Sequence, residues 1–334
     1  MNHVPLEIRQ PSETTLDELR PPSADYPYFE IARRSPLDPE NGGLASRASW
    51  LADACMLSYG DADFIETAFA KSPLPTQGWQ LGWLGERTKF SGIVLTHTRQ
   101  IVIAFRGTRI ESHQLLEGAE LFLLNPDDFR IDGQFLKASG PLGGKVHQGF
   151  LSAYEALQPA VQQSLAKVAE DHQFWLTGHS LGGALATLAA VDLHGRHSNK
   201  LFSFGSPRVG DETFAAHLAD REHFRFVNAA DWVSQVPPDW LGYAHSGTMI
   251  PLGSEKEVSL KQQLLDSISG IADVFKTLAR ERTIDMGDWE VTVRGLVDHA
   301  PVRYANELWN RAVTEFAASA SLPLGNSEDR QVDT

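Results

Sequence analysis

The chain has 334 residues, of which 42% are apolar, and this size suits one large α/β domain with insertions or at most two domains. The formal net charge of −14 disfavours nucleic-acid binding and gives no electrostatic attraction to anionic membranes. Uninterrupted apolar runs stay well short of the roughly 18 residues that a transmembrane helix needs, so we expect no membrane-spanning segment.

The cysteine content and the N-terminal sequence bear on the cellular compartment. The single cysteine, Cys55, excludes an intramolecular disulfide, and its apolar helical surroundings predict a buried structural thiol. Residues 1–20 lack the basic segment and apolar core that are typical of a secretory signal peptide. We therefore expect a cytoplasmic protein, or one that is exported without a cleaved signal peptide.

Prolines and charged residues mark the two ends of the chain. Residues 1–40 are rich in proline and poor in apolar clusters, which predicts a loosely ordered extension. The polar last stretch predicts a disordered tail over residues 321–334. A folded domain is thus expected over residues 41–320, and neither a repeat nor a low-complexity linker divides it.

Within this domain, helical and strand patterns alternate. Apolar spacing predicts helices over 44–59 and 149–170, and β-branched runs predict a hairpin over 92–105. Further strands are predicted at 173–177, 200–204 and 223–228, with helices after residue 180 and over 212–218. The alternation predicts an α/β fold in which helices cover both faces of a mostly parallel sheet. In such sheets, ligands bind beyond the carboxyl ends of the strands.

The most informative segment joins a predicted strand to the following helix. Residues 178–182 read Gly-His-Ser-Leu-Gly, the Gly-X-Ser-X-Gly pattern of a nucleophile elbow. The two glycines let the chain turn sharply, and the turn aims the Ser180 hydroxyl and the N–H of Leu181 at a substrate. The alternative interpretation is a glycine-rich loop with a solvated serine. The strand before and the helix after favour Ser180 as a nucleophile.

A serine nucleophile needs a histidine base and a carboxylate that orients the histidine. Asp231 follows a predicted strand and should lie on the same rim as the serine; Asp211 is its rival, although its position is typical of a helix cap. His299 completes the chain order Ser–Asp–His of α/β-hydrolases, with His245 as the runner-up. Asp298 is expected to support its neighbour.

An oxyanion hole needs a second N–H donor besides that of Leu181. Thr108 follows a predicted strand and a tight turn, so its amide and hydroxyl are both candidates; a plain turn is the alternative. Neither Cys/His metal-ligand spacing nor a phosphate-binding glycine loop is present, and we expect no metal and no cofactor.

Taken together, these motifs resemble the class 3 lipases, the fungal-lipase-like group. They occur in the family's order between about residues 44 and 310, at 103–108, 146–150, 178–183, 204–210, 231 with 236–238, and 298–299 with 304. The resemblance implies an α/β-hydrolase fold with a lid-type insertion, and carboxylic-ester hydrolysis. It also implies Ser180 as nucleophile, Asp231 as acid and His299 as base. Thr108 and Leu181 would be the oxyanion donors.

Two apolar segments leave open whether the protein touches lipid. The family's lid follows the oxyanion strand; here that place is 109–124, where Leu115 and Leu116 form either a lid face or core packing. Apolar spacing over 256–282 predicts an amphipathic helix that covers a core, or that docks on a membrane or an acyl chain. His147 matches a family histidine packed near the site, which implies structural support.

The expected function is therefore a serine carboxylic-ester hydrolase, most simply a lipase acting on triacylglycerol or a related lipid ester through an acyl-enzyme. A phospholipase, a lipolytic effector toxin and a short-chain esterase are the alternatives within enzymes, because one triad serves all carboxylic esters. Outside enzymes, the alternative is an inactive hydrolase fold that binds lipid. The expected partners are a lipid or ester substrate and, transiently, a membrane or lipid interface; nucleic acid and an obligate protein partner are not expected.

Overall fold

A computed structural model describes residues 7–9, 24–37, 42–107, 136–166, 172–195, 199–228, 231, 233–253 and 298–321. The expectations for Thr108, the segment 109–124, the helix over 256–282 and the tail beyond residue 321 lie outside the described residues. None of the helices in the described ranges is long and apolar enough to cross a membrane.

A central sheet of seven strands organises the described part of the chain. Its strands are β1 (Gln80–Glu86), β2 (Lys89–His97), β3 (Gln100–Phe105), β6 (Gln173–His179), β7 (Asn199–Phe204), β8 (His223–Asn228) and β9 (Thr248–Leu252). They are hydrogen-bonded in the order β1-β2-β3-β6-β7-β8-β9. The pairs β1–β2 and β2–β3 are antiparallel, and the four pairs from β3 to β9 are parallel. The prediction of a mostly parallel sheet is confirmed.

Helices cover both faces of this sheet. They are α1 (Leu44–Leu57), α2 (Ala62–Lys71), α3 (Gln148–Leu165), α4 (Leu181–Asp192), α5 (Glu212–Ala216) and α6 (Pro301–Ser321). One apolar core joins the sheet to α1 and α6, and a second core joins the opposite face to α3 and α4. A small antiparallel sheet of β4 (Lys137–Ser139) and β5 (Lys145–His147) precedes α3. This two-faced packing is the architecture that the alternating pattern predicts.

The carboxyl ends of neighbouring strands form one rim of the sheet. Strands β3, β6 and β7 run parallel in adjacent positions and end at Phe105, His179 and Phe204. Strand β8 continues the rim and ends at Asn228, three residues before Asp231. The segments that follow these strands therefore meet at one edge, where ligands bind in open α/β sheets.

Residues 24–37 are part of the core rather than a loose extension. A short 3₁₀ helix spans Glu30–Arg33, and the side chains of Tyr28, Phe29, Ile31, Ala32 and Leu37 are buried against the core that includes α1. The prediction of loose order over residues 1–40 is wrong for this stretch. Burial of its apolar residues against α1 stabilises this stretch, and the local sequence pattern does not show this contact.

The last helix packs along the first. Helix α6 lies against α1, and residues 7–9 are hydrogen-bonded to α6. The N–H of Arg9 donates to Asn310 Oδ1 at 2.7 Å, and Asn310 Nδ2 donates to the carbonyl of Arg9 at 2.9 Å. Trp309 Nε1 donates to the carbonyl of Glu7 at 2.9 Å. Segments from opposite ends of the described chain are thus fastened together.

Helix α1 carries a fully buried carboxyl group, Asp53. Its Oδ2 accepts the backbone N–H of Phe29 at 2.7 Å, and Phe29 has a left-handed φ of 58°. Burial raises the pKa of Asp53 to about 6, although nearby Arg9 and the Phe29 N–H partly oppose the rise. The carboxyl group therefore fixes the turn at Phe29 at the cost of a poorly solvated charge.

We expect the Asp53→Asn variant to remove a pH dependence from the free energy of unfolding. The pKa of Asp53 in the folded protein lies above its unfolded value of about 3.9. The free energy of unfolding of the native protein therefore falls as pH rises from about 4 to 6, and the total decrease levels off at about 3 kcal/mol. Asparagine keeps an oxygen for Phe29 and carries no charge. In denaturant unfolding of both proteins, the free energy of unfolding of the variant should rise relative to that of the native protein between acid and neutral pH. A constant difference across this range would contradict the argument.

Candidate active site

The turn between β6 and α4 has the geometry of a nucleophile elbow. Ser180 has φ 58° and ψ −129°, and it is half-buried. A Cβ on Gly178 would lie 2.1 Å from the Gly182 backbone, and one on Gly182 would lie 2.2 Å from the Phe105 carbonyl oxygen. Both positions therefore require glycine, because backbone atoms occupy the space of any side chain. The strained serine conformation expected from the motif is present.

Asp231 and His299 form a hydrogen-bonded pair. His299 Nδ1 lies 2.8 Å from Asp231 Oδ2, although 67 residues separate the two in the chain. The Asp231 side chain is fully buried, and the His299 side chain is 11% exposed. Because an ionised carboxylate only accepts, Nδ1 carries the hydrogen and Nε2 is left as the nitrogen that can accept a proton. The predicted acid and base are thus brought together in the arrangement that their roles require.

Two further donors fix the Asp231 carboxylate. The Tyr304 hydroxyl donates to Oδ2 at 2.6 Å, and the backbone N–H of Val233 donates to Oδ1 at 2.9 Å. Burial, together with the charge of Asp231, raises the pKa of Tyr304 well above its ordinary value, so this phenol keeps its proton and remains a donor. Both carboxylate oxygens are therefore held, and the group cannot rotate away from His299.

The segment that carries His299 is anchored to the end of β8. Asn228 Nδ2 donates to the Asp298 carbonyl at 2.7 Å, and the Asn228 N–H donates to the Tyr304 hydroxyl at 3.1 Å. Helix α6 begins two residues after His299, at Pro301. Asn228 thus holds the backbone directly before His299, and a role of the Asp298 side chain stays a prediction.

His179 connects the elbow to the same segment. Its Nε2 lies 2.6 Å from the carbonyl oxygen of His299, and the two imidazole rings are 4.5 Å apart between centroids. Ser180, the next residue, is held by its N–H, which donates to the Phe204 carbonyl at 3.0 Å. Ser180, Asp231 and His299 therefore come from segments that are tied to one another at the rim.

The alternative candidates have other partners. Asp211 is the N-cap of α5, as its position indicates: its Oδ1 accepts the Phe214 N–H at 2.9 Å. His245 Nε2 lies 2.8 Å from the Ser234 carbonyl, whereas the histidine that binds Asp231 is His299. His147 is the N-cap of α3, a structural position.

The described residues include one of the two predicted oxyanion donors. Leu181 is the first residue of α4, where backbone N–H groups have no intrahelical partner and point out of the helix end. The close approach of Gly182 to Phe105 places this helix end beside the end of β3. Thr108, two residues beyond Arg106, lies outside the described residues, so its contribution stays a prediction.

Cys55 is a buried structural thiol, as its surroundings predict. Only 1% of it is exposed, and its Sγ lies 3.2 Å from Thr177 Oγ1 on β6. Burial raises the pKa of the thiol to about 12, so it stays protonated and is a poor nucleophile.

Sequence reasoning missed one residue near the site, Tyr59. Its hydroxyl lies 2.8 Å from His179 Nδ1, at the end of the turn that follows α1. The partner is 120 residues away in the chain, and the local pattern around Tyr59 only indicates the end of an apolar helix.

Part of the chain is similar in sequence to known lipases. Residues 102–240 match the profile of the family described as Lipase (class 3). The chain is 32% identical over 215 residues to a lipase of Rhizopus niveus, a match that covers 56% of this chain and 51% of that protein. It is 30% identical over 253 residues to phospholipase A1-II 1 of Oryza sativa subsp. indica, covering 68% of this chain and 61% of the relative.

A solved structure bears on the fold alone. The mono- and diacylglycerol lipase of Aspergillus oryzae superposes with a TM-score of 0.50 at 19% identity, over 66% of this chain and 84% of that one. The similarity supports the α/β-hydrolase fold. The chain spans about half the length of the Rhizopus relative that it matches.

Proposed function

We propose that the chain is a member of the class 3 lipase family, whose profile matches residues 102–240, and that it is a serine carboxylic-ester hydrolase, most simply a lipase. The observation that carries the proposal is the buried Asp231–His299 hydrogen bond beside a serine with a left-handed φ. This combination has the chemistry of a Ser-His-Asp triad, in which geometry and role, more than position in the chain, define the members.

The proposed reaction passes through an acyl-enzyme. His299 Nε2 removes the proton of Ser180 as the serine Oγ attacks the ester carbonyl carbon, and the carbonyl oxygen becomes an oxyanion. The tetrahedral intermediate collapses, the C–O bond to the alcohol breaks, and His299 returns the proton to that alcohol. Water then attacks the acyl-enzyme by the same steps and releases the carboxylic acid and free Ser180. Asp231 holds the Nδ1–H tautomer and stabilises the imidazolium that forms twice per cycle.

The negative charge that develops on the carbonyl oxygen needs donors that are already oriented. We assign this role to the N–H of Leu181 and to the amide and hydroxyl of Thr108. The position of Leu181 at the N-terminus of α4 supports its part, because the helix dipole also favours negative charge there.

Replacing Thr108 by glycine is expected to lower kcat by about 10²-fold to 10³-fold, because the backbone N–H stays while the hydroxyl donor is lost. The Thr108→Ser variant is the matched control, since it keeps a hydroxyl on a smaller side chain. Steady-state hydrolysis of a soluble p-nitrophenyl ester measures both. If glycine is as active as threonine, the hydroxyl has no role in the oxyanion hole.

The experiment that tests the function has two parts. The purified protein is treated with a fluorophosphonate, which should label Ser180 and no other residue, as read by peptide mass spectrometry. It is then assayed on p-nitrophenyl esters from acetate to palmitate, below and above the aggregation point of each. Activity that rises with chain length and at the aggregate surface indicates a lipase, and activity confined to short soluble esters indicates an esterase. A protein that neither reacts with the probe nor cleaves any ester is not a serine hydrolase.

A phospholipase activity is the second candidate, and one finding favours it. The plant relative that is 30% identical is named as a phospholipase A1-II 1, and a triad does not distinguish one carboxylic ester from another. Vesicles of phosphatidylcholine and emulsions of triacylglycerol, assayed side by side for released fatty acid, separate the two activities.

We also propose a transient contact with the lipid surface. Leu136 and Trp240 are 54% and 68% exposed, and the two segments that carry them are joined by a hydrogen bond from Lys137 Nζ to the carbonyl of Gly242 at 2.8 Å. Exposed tryptophan and leucine beside a lysine suit the boundary between lipid headgroups and acyl chains. The double variant Leu136→Ser/Trp240→Ser should then lose activity on aggregated ester while keeping activity on dissolved ester.

A further inference from the structure

The hydroxyl of Tyr59 lies between two segments of the proposed active site. Its oxygen is 2.8 Å from His179 Nδ1, and it lies directly against the backbone of Gly107. A Cβ on Gly107 would lie 2.0 Å from this oxygen, so the contact requires a glycine. Burial raises the pKa of Tyr59 well above its ordinary value, and the phenol therefore keeps a hydrogen to donate.

The direction of each hydrogen bond follows from the chemistry of the groups. The carbonyl of His299 can only accept, so His179 Nε2, at 2.6 Å, carries the hydrogen. Burial lowers the pKa of His179 well below its ordinary value, so the ring is neutral and Nδ1 has a free lone pair. The Tyr59 hydroxyl therefore donates to Nδ1. Two hydrogen bonds run in one direction, from the Tyr59 hydroxyl through the His179 ring to the carbonyl of His299, and the Tyr59 oxygen packs against Gly107.

Each segment that this chain of hydrogen bonds touches adjoins a proposed functional group. Gly107 precedes Thr108, and His179 precedes Ser180. His299 is bound by its carbonyl, which leaves its ring free for Asp231. Bonds that run in one direction polarise one another, so the loss of one member weakens the rest. The segments of Gly107, His179 and His299 are far apart in the sequence.

We propose that Tyr59 and His179 are positioning residues of the ester hydrolase: they hold the oxyanion turn, the nucleophile turn and the backbone of the base in one fixed arrangement. The inference rests on the proposed function. Neither residue touches the reacting atoms. Their effect should appear in the chemical step, since a small displacement of any one segment misaligns attack, proton transfer and oxyanion binding together.

The first test compares Tyr59→Phe with Tyr154→Phe. Tyr154 is also buried, and its hydroxyl donates one hydrogen bond, to Asp192 Oδ2 at 2.8 Å, which phenylalanine would remove. Tyr154 lies on α3, away from this network. We expect Tyr59→Phe to lower kcat on a soluble ester by about tenfold, the worth of one hydrogen bond, with KM unchanged. Tyr154→Phe should keep the native kcat although its thermal stability falls by a similar amount.

The second test uses rescue at His179. Alanine removes both bonds of the ring, whereas glutamine keeps an N–H donor that can reach the carbonyl of His299. We expect His179→Gln to recover part of the kcat that His179→Ala loses. Tyr59→Phe should also cost less in the glutamine background than in the native protein, because the two residues act in one chain.

The outcomes separate this inference from the proposed function. If the native protein cleaves esters, and its activity depends on Ser180, an unchanged kcat in Tyr59→Phe overturns the inference alone. Equal kcat losses in Tyr59→Phe and Tyr154→Phe also overturn it, because they indicate a general effect of stability. If Tyr59→Phe does not fold, equal kcat in His179→Gln and His179→Ala overturns it. A native protein without esterase activity removes both proposals.

Discussion

Replacing Ser180 by alanine is expected to lower kcat for ester hydrolysis by about 10⁶-fold, the loss found when the nucleophile of a triad is removed. The remaining groups have no acceptor for the acyl group, and water must attack the ester directly. The elbow should survive, because alanine is smaller than serine and the strained φ of 58° is held by the close packing of Gly178 and Gly182. Steady-state rates on p-nitrophenyl butyrate, with circular dichroism to check the fold, measure the effect.

The control for this variant is Ser164→Ala. The Ser164 hydroxyl donates to the Ala160 carbonyl at 2.9 Å on α3, so its removal makes the same chemical change away from the rim. It should keep the native rate and the fluorophosphonate label. Ser180→Ala should keep neither. A Ser180→Ala protein with native turnover would exclude an acyl-enzyme on this residue.

Replacing Asp231 by asparagine is expected to lower kcat by about 10⁴-fold, the second largest effect. Oδ2 accepts from both His299 Nδ1 and the Tyr304 hydroxyl, and Oδ1 accepts from the Val233 N–H. An amide has only one oxygen, so its NH₂ group must occupy the place of either Oδ1 or Oδ2, where it faces a hydrogen-bond donor. If the NH₂ faces His299, the ring turns to the other tautomer, and Nε2 carries a hydrogen where it must accept one.

Tyr304→Phe is the matched variant for Asp231. It removes one donor from Oδ2 and leaves the charge and the His299 bond, so we expect about a tenfold loss in kcat. Single-turnover kinetics of acylation measure both variants. Equal losses for Asp231→Asn and Tyr304→Phe would contradict an orienting role for the carboxylate, since only one of the two changes should alter the tautomer.

The elbow and the alternating core could be predicted because their signals are local. Gly178 and Gly182 stand at a fixed spacing from Ser180, and the strand β3 reads as an apolar run because both of its faces are buried. Asp231 and His299 could be predicted for a different reason, because in this fold the chain supplies the serine, the aspartate and the histidine to the rim in a fixed order. The resemblance to class 3 lipases gave the same positions.

Other features could not be predicted because their causes lie far away in the chain. The edge strands β1 and β9 are largely exposed, and Gly82, Gly85 and Pro251 weaken their strand pattern. Phe29 is held in a left-handed conformation by Asp53, which lies on another element. The contact of Tyr59 with His179 depends on the docking of α1 on the sheet. No window of neighbouring residues contains such information.

The packing of α6 along α1 has a consequence for biosynthesis. The nucleophile elbow and Asp231 leave the ribosome well before His299, and the helix that begins two residues after His299 must dock on the first helix of the domain. A chain that stops before residue 299 therefore lacks the proposed base, and its rate of ester hydrolysis is expected to be lower by several orders of magnitude. Under the proposed function, a cell that makes this protein therefore meets its hydrolytic activity only after translation has passed residue 299.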